Sequence, residues 1–133
     1  MDVRKNPSQN SNFKLRDILN TIYTLTDCIR ALHTAGLMHL DIKPSNFLVP
    51  FDSKNGINTN SVSLFDINTL YSVSSDVPRM AGTEGFRAPE VFRGKADNRS
   101  DIYSNGAMLF NALVILDDSP DRIYRDDYYQ DID

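Results

Sequence analysis

The residues best equipped for chemistry lie in one string, His39-x-Asp41-x-Lys43-x-x-Asn46, followed by Asp66 and then by Ala88-Pro89-Glu90. With 2 His, 16 Asp, 5 Lys and 12 Asn in 133 residues, the first spacing arises by chance roughly once in a thousand such chains. Each residue has a plain structural reading when taken alone: Asp41 as a turn residue, Lys43 as a surface charge, Asn46 as a strand cap, Asp66 as a loop carboxylate. Together they offer more. Asn46 and Asp66 are hard oxygen ligands of the kind that suit Mg²⁺, and the elements around them bring the two together.

Those elements follow from the apolar pattern. Leu15, Ile18, Leu19, Ile22, Leu25, Ile29 and Leu32 fall in steps of three and four and predict one long helix from residue 13. Ser11 or Asn12 can cap its start, and Gly36 can end it in a left-handed conformation. Residues 39–46 are polar, contain Pro44 and form a loop. Short apolar or β-branched runs at 47–49 and 62–65 flank Asn55-Gly56, a strong turn signal, and predict an antiparallel hairpin. In such a pair the residue entering the first strand lies beside the one leaving the second. Asn46 and Asp66 are therefore expected as neighbours. Residues 67–87 have few apolar anchors and read as a long surface loop. From Asp101 to Leu116 the pattern is apolar nearly all round, which predicts a buried helix, although only one other strong helix is available to cover it.

This constellation resembles the catalytic loop, metal-binding segment and activation segment of the protein-kinase family, whose usual forms are H-R-D-x-x-x-x-N, D-F-G and A-P-E. The resemblance covers residues 13–116. It implies that Asp41 accepts or orients the proton of an attacking hydroxyl, that Lys43 places a positive charge near the transferred phosphate, and that Asn46 and Asp66 hold Mg²⁺. Thr83 matches the threonine that bonds the catalytic Asp and Lys, and His39 is expected to pack beneath the site. Glu90 ends the activation segment. Asp101, in Asp101-Ile102-Tyr103-Ser104-Asn105-Gly106, resembles the start of the central helix, where the Asp holds the catalytic-loop backbone. A narrower match, through residues 43–48 and 81–91, is to the cell division control kinases of the Cdc-seven type. That resemblance implies ATP and Mg²⁺, a Dbf-type activating subunit, a protein substrate with Ser or Thr, and a nuclear setting, with the cytoplasm as the other candidate.

Three departures accompany it. Leu40 stands where the family has Arg, so a phosphate on Ser72, Ser74 or Ser75 would lack its usual basic partner. The D-F-G triplet is Asp66-Ile67-Asn68. No G-x-G-x-x-G and no V-A-I-K-like lysine precedes the catalytic loop in these 133 residues. The family's catalytic unit needs roughly 250 residues and two lobes. The expected fold is thus mainly α with a small β-hairpin, a partial kinase-like fold comprising the C-terminal lobe without the nucleotide-covering lobe. The same departures leave a second reading open, a catalytically dead kinase-like module or truncated fragment that acts through a kinase partner. The source of the Arg that normally pairs with Glu90 is likewise expected to be missing.

Composition narrows the rest. Fourteen Lys and Arg against eighteen Asp and Glu give a net charge of -4, and residues 117–133 carry seven acids and two bases, leaving +1 on residues 1–116. A nearly neutral body is not the electrostatic footprint of a nucleic-acid binder. The longest apolar runs fall short of the roughly 18 residues of a membrane helix, and the polar start shows no apolar signal segment, so neither a membrane nor a secreted setting is expected. One cysteine, Cys28, excludes an internal disulfide framework. The chain divides into a polar, disordered start over 1–12, a core over 13–116 and an acidic Asp/Tyr-rich tail over 117–133.

Overall fold

The computed structural model describes residues 15–52, 54–66 and 70–116. The predicted caps Ser11 and Asn12, the triplet residues Ile67 and Asn68, the segment 1–12 and the tail 117–133 lie outside these residues. Helix α1 (Leu15–Thr34) buries Ile18, Thr21, Leu25 and Ile29. The buried stripe is narrower than the apolar pattern predicts: Leu15 and Leu19 are about half exposed. Thr21 enters the stripe because its hydroxyl donates to the Asp17 carbonyl one turn back, at 2.7 Å, and so carries no unmet polar group inward. Gly36 ends the helix at φ 75°, as its sequence position predicts.

Three two-stranded antiparallel sheets follow. β1 (Leu37–Met38) pairs with β6 (Tyr71–Ser72) in the register Leu37 opposite Ser72. β2 (Phe47–Leu48) pairs with β5 (Ser63–Leu64), Phe47 opposite Leu64, and encloses the smaller pair of β3 (Phe51–Asp52) with β4 (Gly56–Ile57). The predicted hairpin is therefore two nested hairpins. The inner one closes just ahead of Gly56, which already belongs to β4 opposite Asp52.

Residues 67–87 depart from the expected surface loop. β6 lies within them, and Ala81 and Arg87 are buried, because Ala81, Ala88 and Val91 form a small core against Tyr71, Val77, Ala96 and Tyr103. Helix α2 (Pro89–Phe92) starts on a proline, which suits a first turn whose N–H groups have no helical partner. The main core joins Leu25 and Ile29 of α1 with Ile42 and Met108. Burying each such side chain is worth roughly 1.5–3 kcal/mol.

Helix α3 (Asn98–Leu116) packs along α1 but is not buried all round. Ser100, Asp101, Ser104, Asn105 and Met108 are buried, whereas Ile102, Phe110 and Leu113 are 51%, 42% and 38% exposed. The all-round apolar pattern is thus corrected. The face that α3 turns inward is largely polar: Ser100, Asp101 and Ser104 bond to the segments that carry the chemistry, and Asn105 bonds to Thr26 of α1.

Candidate active site

Asp101 is fully buried on that inner face. Its Oδ1 accepts the Leu40 N–H at 2.7 Å, and its Oδ2 accepts the His39 N–H at 2.9 Å and the His33 Nε2–H at 2.9 Å. Three donors on one carboxylate satisfy a charge that would otherwise be costly inside a protein. They also hold Leu40 at φ 61°, a left-handed conformation that a branched side chain rarely adopts. The Leu40 side chain is itself buried. A chain bent in this way delivers Asp41 to the surface of the site.

His39 is fully buried and bonded at both ring nitrogens. The Asp41 N–H donates to Nδ1 at 3.2 Å, which leaves Nε2 to donate to the Phe65 carbonyl at 2.9 Å. This arrangement specifies the neutral Nε2–H tautomer. The ring is a strut between the catalytic-loop string and the strand that leads to Asp66. It packs beneath the site, as its sequence position predicts.

Above it, one network joins four of the predicted residues. The Thr83 hydroxyl donates to Asp41 Oδ1 at 2.6 Å and accepts from Lys43 Nζ at 2.8 Å. Lys43 Nζ is also 3.5 Å from Asp41 Oδ2, with both side chains about a quarter exposed. Asn46 closes the circle, its Nδ2 donating to the Asp41 carbonyl at 2.8 Å and to Asp41 Oδ2 at 3.3 Å. Asn46 sits at the end of a 3-10 turn (Pro44–Asn46), just before β2.

The Phe65 N–H donates to the Asn46 carbonyl at 2.7 Å, continuing the β2/β5 ladder by one step. Asn46 thus stands opposite Phe65, and Asp66, expected beside Asn46, is the residue just beyond that pair. Asp66, like Leu40, stands at φ 61°. Because the Asn46 nitrogen is committed to Asp41, its amide oxygen is the atom turned away from that carboxylate. No group of three or more His, Cys, Asp or Glu that could hold a metal occurs among the described residues. One amide oxygen and one carboxylate is nonetheless a donor set that fits Mg²⁺, which keeps several waters and takes one or two protein oxygens beside substrate phosphates.

Glu90 and Asp101 both fall where their sequence positions place them, on segments that bracket the network. Three further residues carry weight that the motifs do not show. His33 is the third donor on Asp101. Gly82, at φ 83°, lies so close to the catalytic loop that a Cβ there would stand 2.4 Å from the Leu40 carbonyl oxygen. Arg87 is 9% exposed and has no carboxylate partner among the described residues; it donates to the carbonyls of Ala81, Met80 and Gly82 at 2.6, 3.0 and 2.9 Å, and its guanidinium lies 4.7 Å from the centre of the Phe92 ring. It therefore fixes the backbone immediately before Thr83. Gly82, four residues ahead of the Phe86-Arg87-Ala88-Pro89-Glu90 run, was the only sequence signal for this clamp.

The comparisons agree with the geometry. The family model described as protein kinase domain matches residues 2–130, and the chain belongs to that family. It is similar to "Probable serine/threonine-protein kinase PknB" of Corynebacterium glutamicum, 28% identical over 85% of this chain and 18% of that protein. It is also 30% identical to the calcium-dependent protein kinase SK5 of Glycine max, over 79% of this chain and 20% of the relative. The serine/threonine-protein kinase PknL of Mycobacterium tuberculosis is 34% identical over 65% of this chain and 21% of its own length. The chain spans about one fifth of the length of these curated relatives. They support the serine/threonine class and do not single out the Cdc-seven type.

Proposed function

We propose that residues 15–116 carry the catalytic loop and activation segment of a serine/threonine protein kinase that transfers the γ-phosphoryl group of ATP to a protein hydroxyl. The observation that carries this reading is the closed network of Asp41, Lys43, Asn46 and Thr83. When bound, ATP supplies the phosphoryl group and Mg²⁺ neutralises its charge. The substrate Ser or Thr oxygen forms the new bond to phosphorus as the bond to the β-phosphate oxygen breaks. Asp41, aimed by Thr83 and Asn46, takes the proton of that hydroxyl. Lys43 sets a positive charge beside Asp41, where the phosphoryl oxygens would lie. Asn46 and Asp66 are the residues suited to hold Mg²⁺.

The test compares ATP turnover by the wild-type chain with that of Asp41→Ala. The reading expects a loss on the order of 10²–10⁴-fold, the range for removing a positioned acid or base. Equal residual activity in the two proteins would eliminate the catalytic assignment.

The finer reading, a nuclear kinase of the Cdc-seven type acting with a Dbf-type subunit, is supported by Lys43-Pro44-Ser45-Asn46-Phe47-Leu48 and Gly85-Phe86-Arg87-Ala88-Pro89-Glu90. Recovery of such a subunit with the tagged chain from nuclear extract is the expected result; recovery of none counts against it. A second reading, a kinase-like module that binds a partner without turnover, is favoured by Leu40, which stands where the family has Arg. Titration with ATP and Mg²⁺ separates the two. A ligand that binds only the folded state raises the melting temperature by mass action, so no shift at millimolar nucleotide favours the binding module.

A further inference from the structure

Glu90, which closes the activation segment, is half-buried, and no cation among the described residues lies within ion-pair distance of it. Its partner is Ser100, whose hydroxyl donates to Glu90 Oε1 at 2.8 Å. Ser100 is 1% exposed and belongs to the first turn of α3. The same oxygen accepts the Asp97 N–H at 3.2 Å, so the hydroxyl is used both as donor and as acceptor. One turn further along, the buried Ser104 donates to the Phe86 carbonyl at 2.6 Å, sharing its proton with the Ser100 carbonyl at 3.1 Å.

Residues 100, 101 and 104 share one face of a helix. From that face Asp101 grips the catalytic loop at His39 and Leu40, while the two serines grip the activation segment at Phe86 and Glu90. We infer that Ser100 and Ser104 are positioning residues that seat the activation segment on α3 independently of the Asp101 anchor. The functional consequence rests on the kinase reading above: the Thr83 to Asp41 bond joins two segments, and α3 sets the distance between them. Ser100 gives Glu90 a hydrogen-bond partner among the described residues.

Amide hydrogen exchange of the full 133-residue chain tests this without relying on turnover. The reporters are the Arg87, Val91 and Arg93 amides, which bond within the segment to Thr83, Ala88 and Glu90. In Ser100→Ala they should exchange about tenfold faster, the equivalent of losing one hydrogen bond to a charged acceptor. The His39 and Leu40 amides should keep their wild-type rate, Ser100→Thr should restore protection, and Glu90→Ala should reproduce the effect without adding to Ser100→Ala. Unchanged protection of the three reporters in Ser100→Ala would overturn the inference. So would an equal loss at His39 and Leu40, or the same local effect from Asp97→Ala, since either outcome reduces Ser100 to a helix cap. Should circular dichroism show Ser100→Ala unfolded, Ser104→Ala gives the same reading through Phe86 alone. Absence of phosphotransfer in every protein would sink the role of Asp41 and leave the exchange result standing.

Discussion

Thr83 Oγ1 is the atom on which the proposed site turns, because it is bonded to Asp41 and Lys43 at once while its own backbone belongs to another segment. What brings it there is the close approach of Gly82 to Leu40. Replacing Gly82 with Ala puts a Cβ 2.4 Å from the carbonyl oxygen of Leu40, whose N–H is bonded to Asp101, in a left-handed conformation that alanine disfavours. We expect Gly82→Ala to lower unfolding free energy by at least about 2 kcal/mol and to part Thr83 from Asp41. Chemical denaturation reads the first effect, and the Thr83 side-chain resonances read the second. A variant as stable as wild type would contradict the close packing described here.

The elements show how short pieces hold such geometry. α3 begins with a reciprocal cap: Asp97 Oδ1 accepts the Arg99 N–H at 2.8 Å, and Ser100 Oγ accepts the Asp97 N–H in return. Asp97→Ala should cost about 1 kcal/mol, the usual worth of an N-cap. The hydrogen bond from the Arg99 side chain, and then the one from its backbone, hold the Asp97 carboxyl below the usual carboxylate range. A carboxylate with a lowered folded pKa stabilises fully above its unfolded value of about 3.9 and loses that contribution as pH falls through the folded one. The stability gap between wild type and Asp97→Ala should therefore be constant from neutral pH down to about pH 5 and narrow below about pH 4. Urea titrations at pH 7 and pH 3 would show it; an unchanged gap would deny the charged cap. The two-residue strands depend on similar local contacts, since pairs so short are marginal without a side chain or helix packed on them.

At the scale of the whole molecule there are two small core clusters, one of Leu25, Ile29, Met108 and the catalytic-loop string's own Ile42, the other of Ala81, Ala88 and Val91. The outer face of α3 contributes to neither. Ile102→Ser and Phe110→Ser should each change stability by less than about 1 kcal/mol, while Met108→Ala should cost about 2–5 kcal/mol. Thermal denaturation of the three variants makes the comparison. Comparable losses in all three would mean that the exposed face is packed in solution. No helix among the described residues is long and apolar enough to cross a membrane.

The sequence alone picked out the candidate site residues and much of the local structure around them. Residue types and spacing singled out Asp41, Lys43, Asn46 and Asp66, because such a motif depends on identity and order along the chain, and the family resemblance added Thr83. Period-3.6 patterning located α1, Gly36 its end, and antiparallel pairing the hairpin that sets Asn46 opposite Phe65, one residue before Asp66. The burial of α3 was misjudged, since an apolar pattern states what a helix could bury and not what is present to cover it. The strand within 67–87 was missed for a related reason: Tyr71-Ser72 has no period to show and pairs only because Leu37-Met38 offers an edge more than thirty residues away. Only the tertiary structure decided the roles of His33, Gly82, Arg87 and Ser100. Their importance lies in the carboxylate, carbonyls or backbone they meet across long separations, and no local pattern records a contact of that kind.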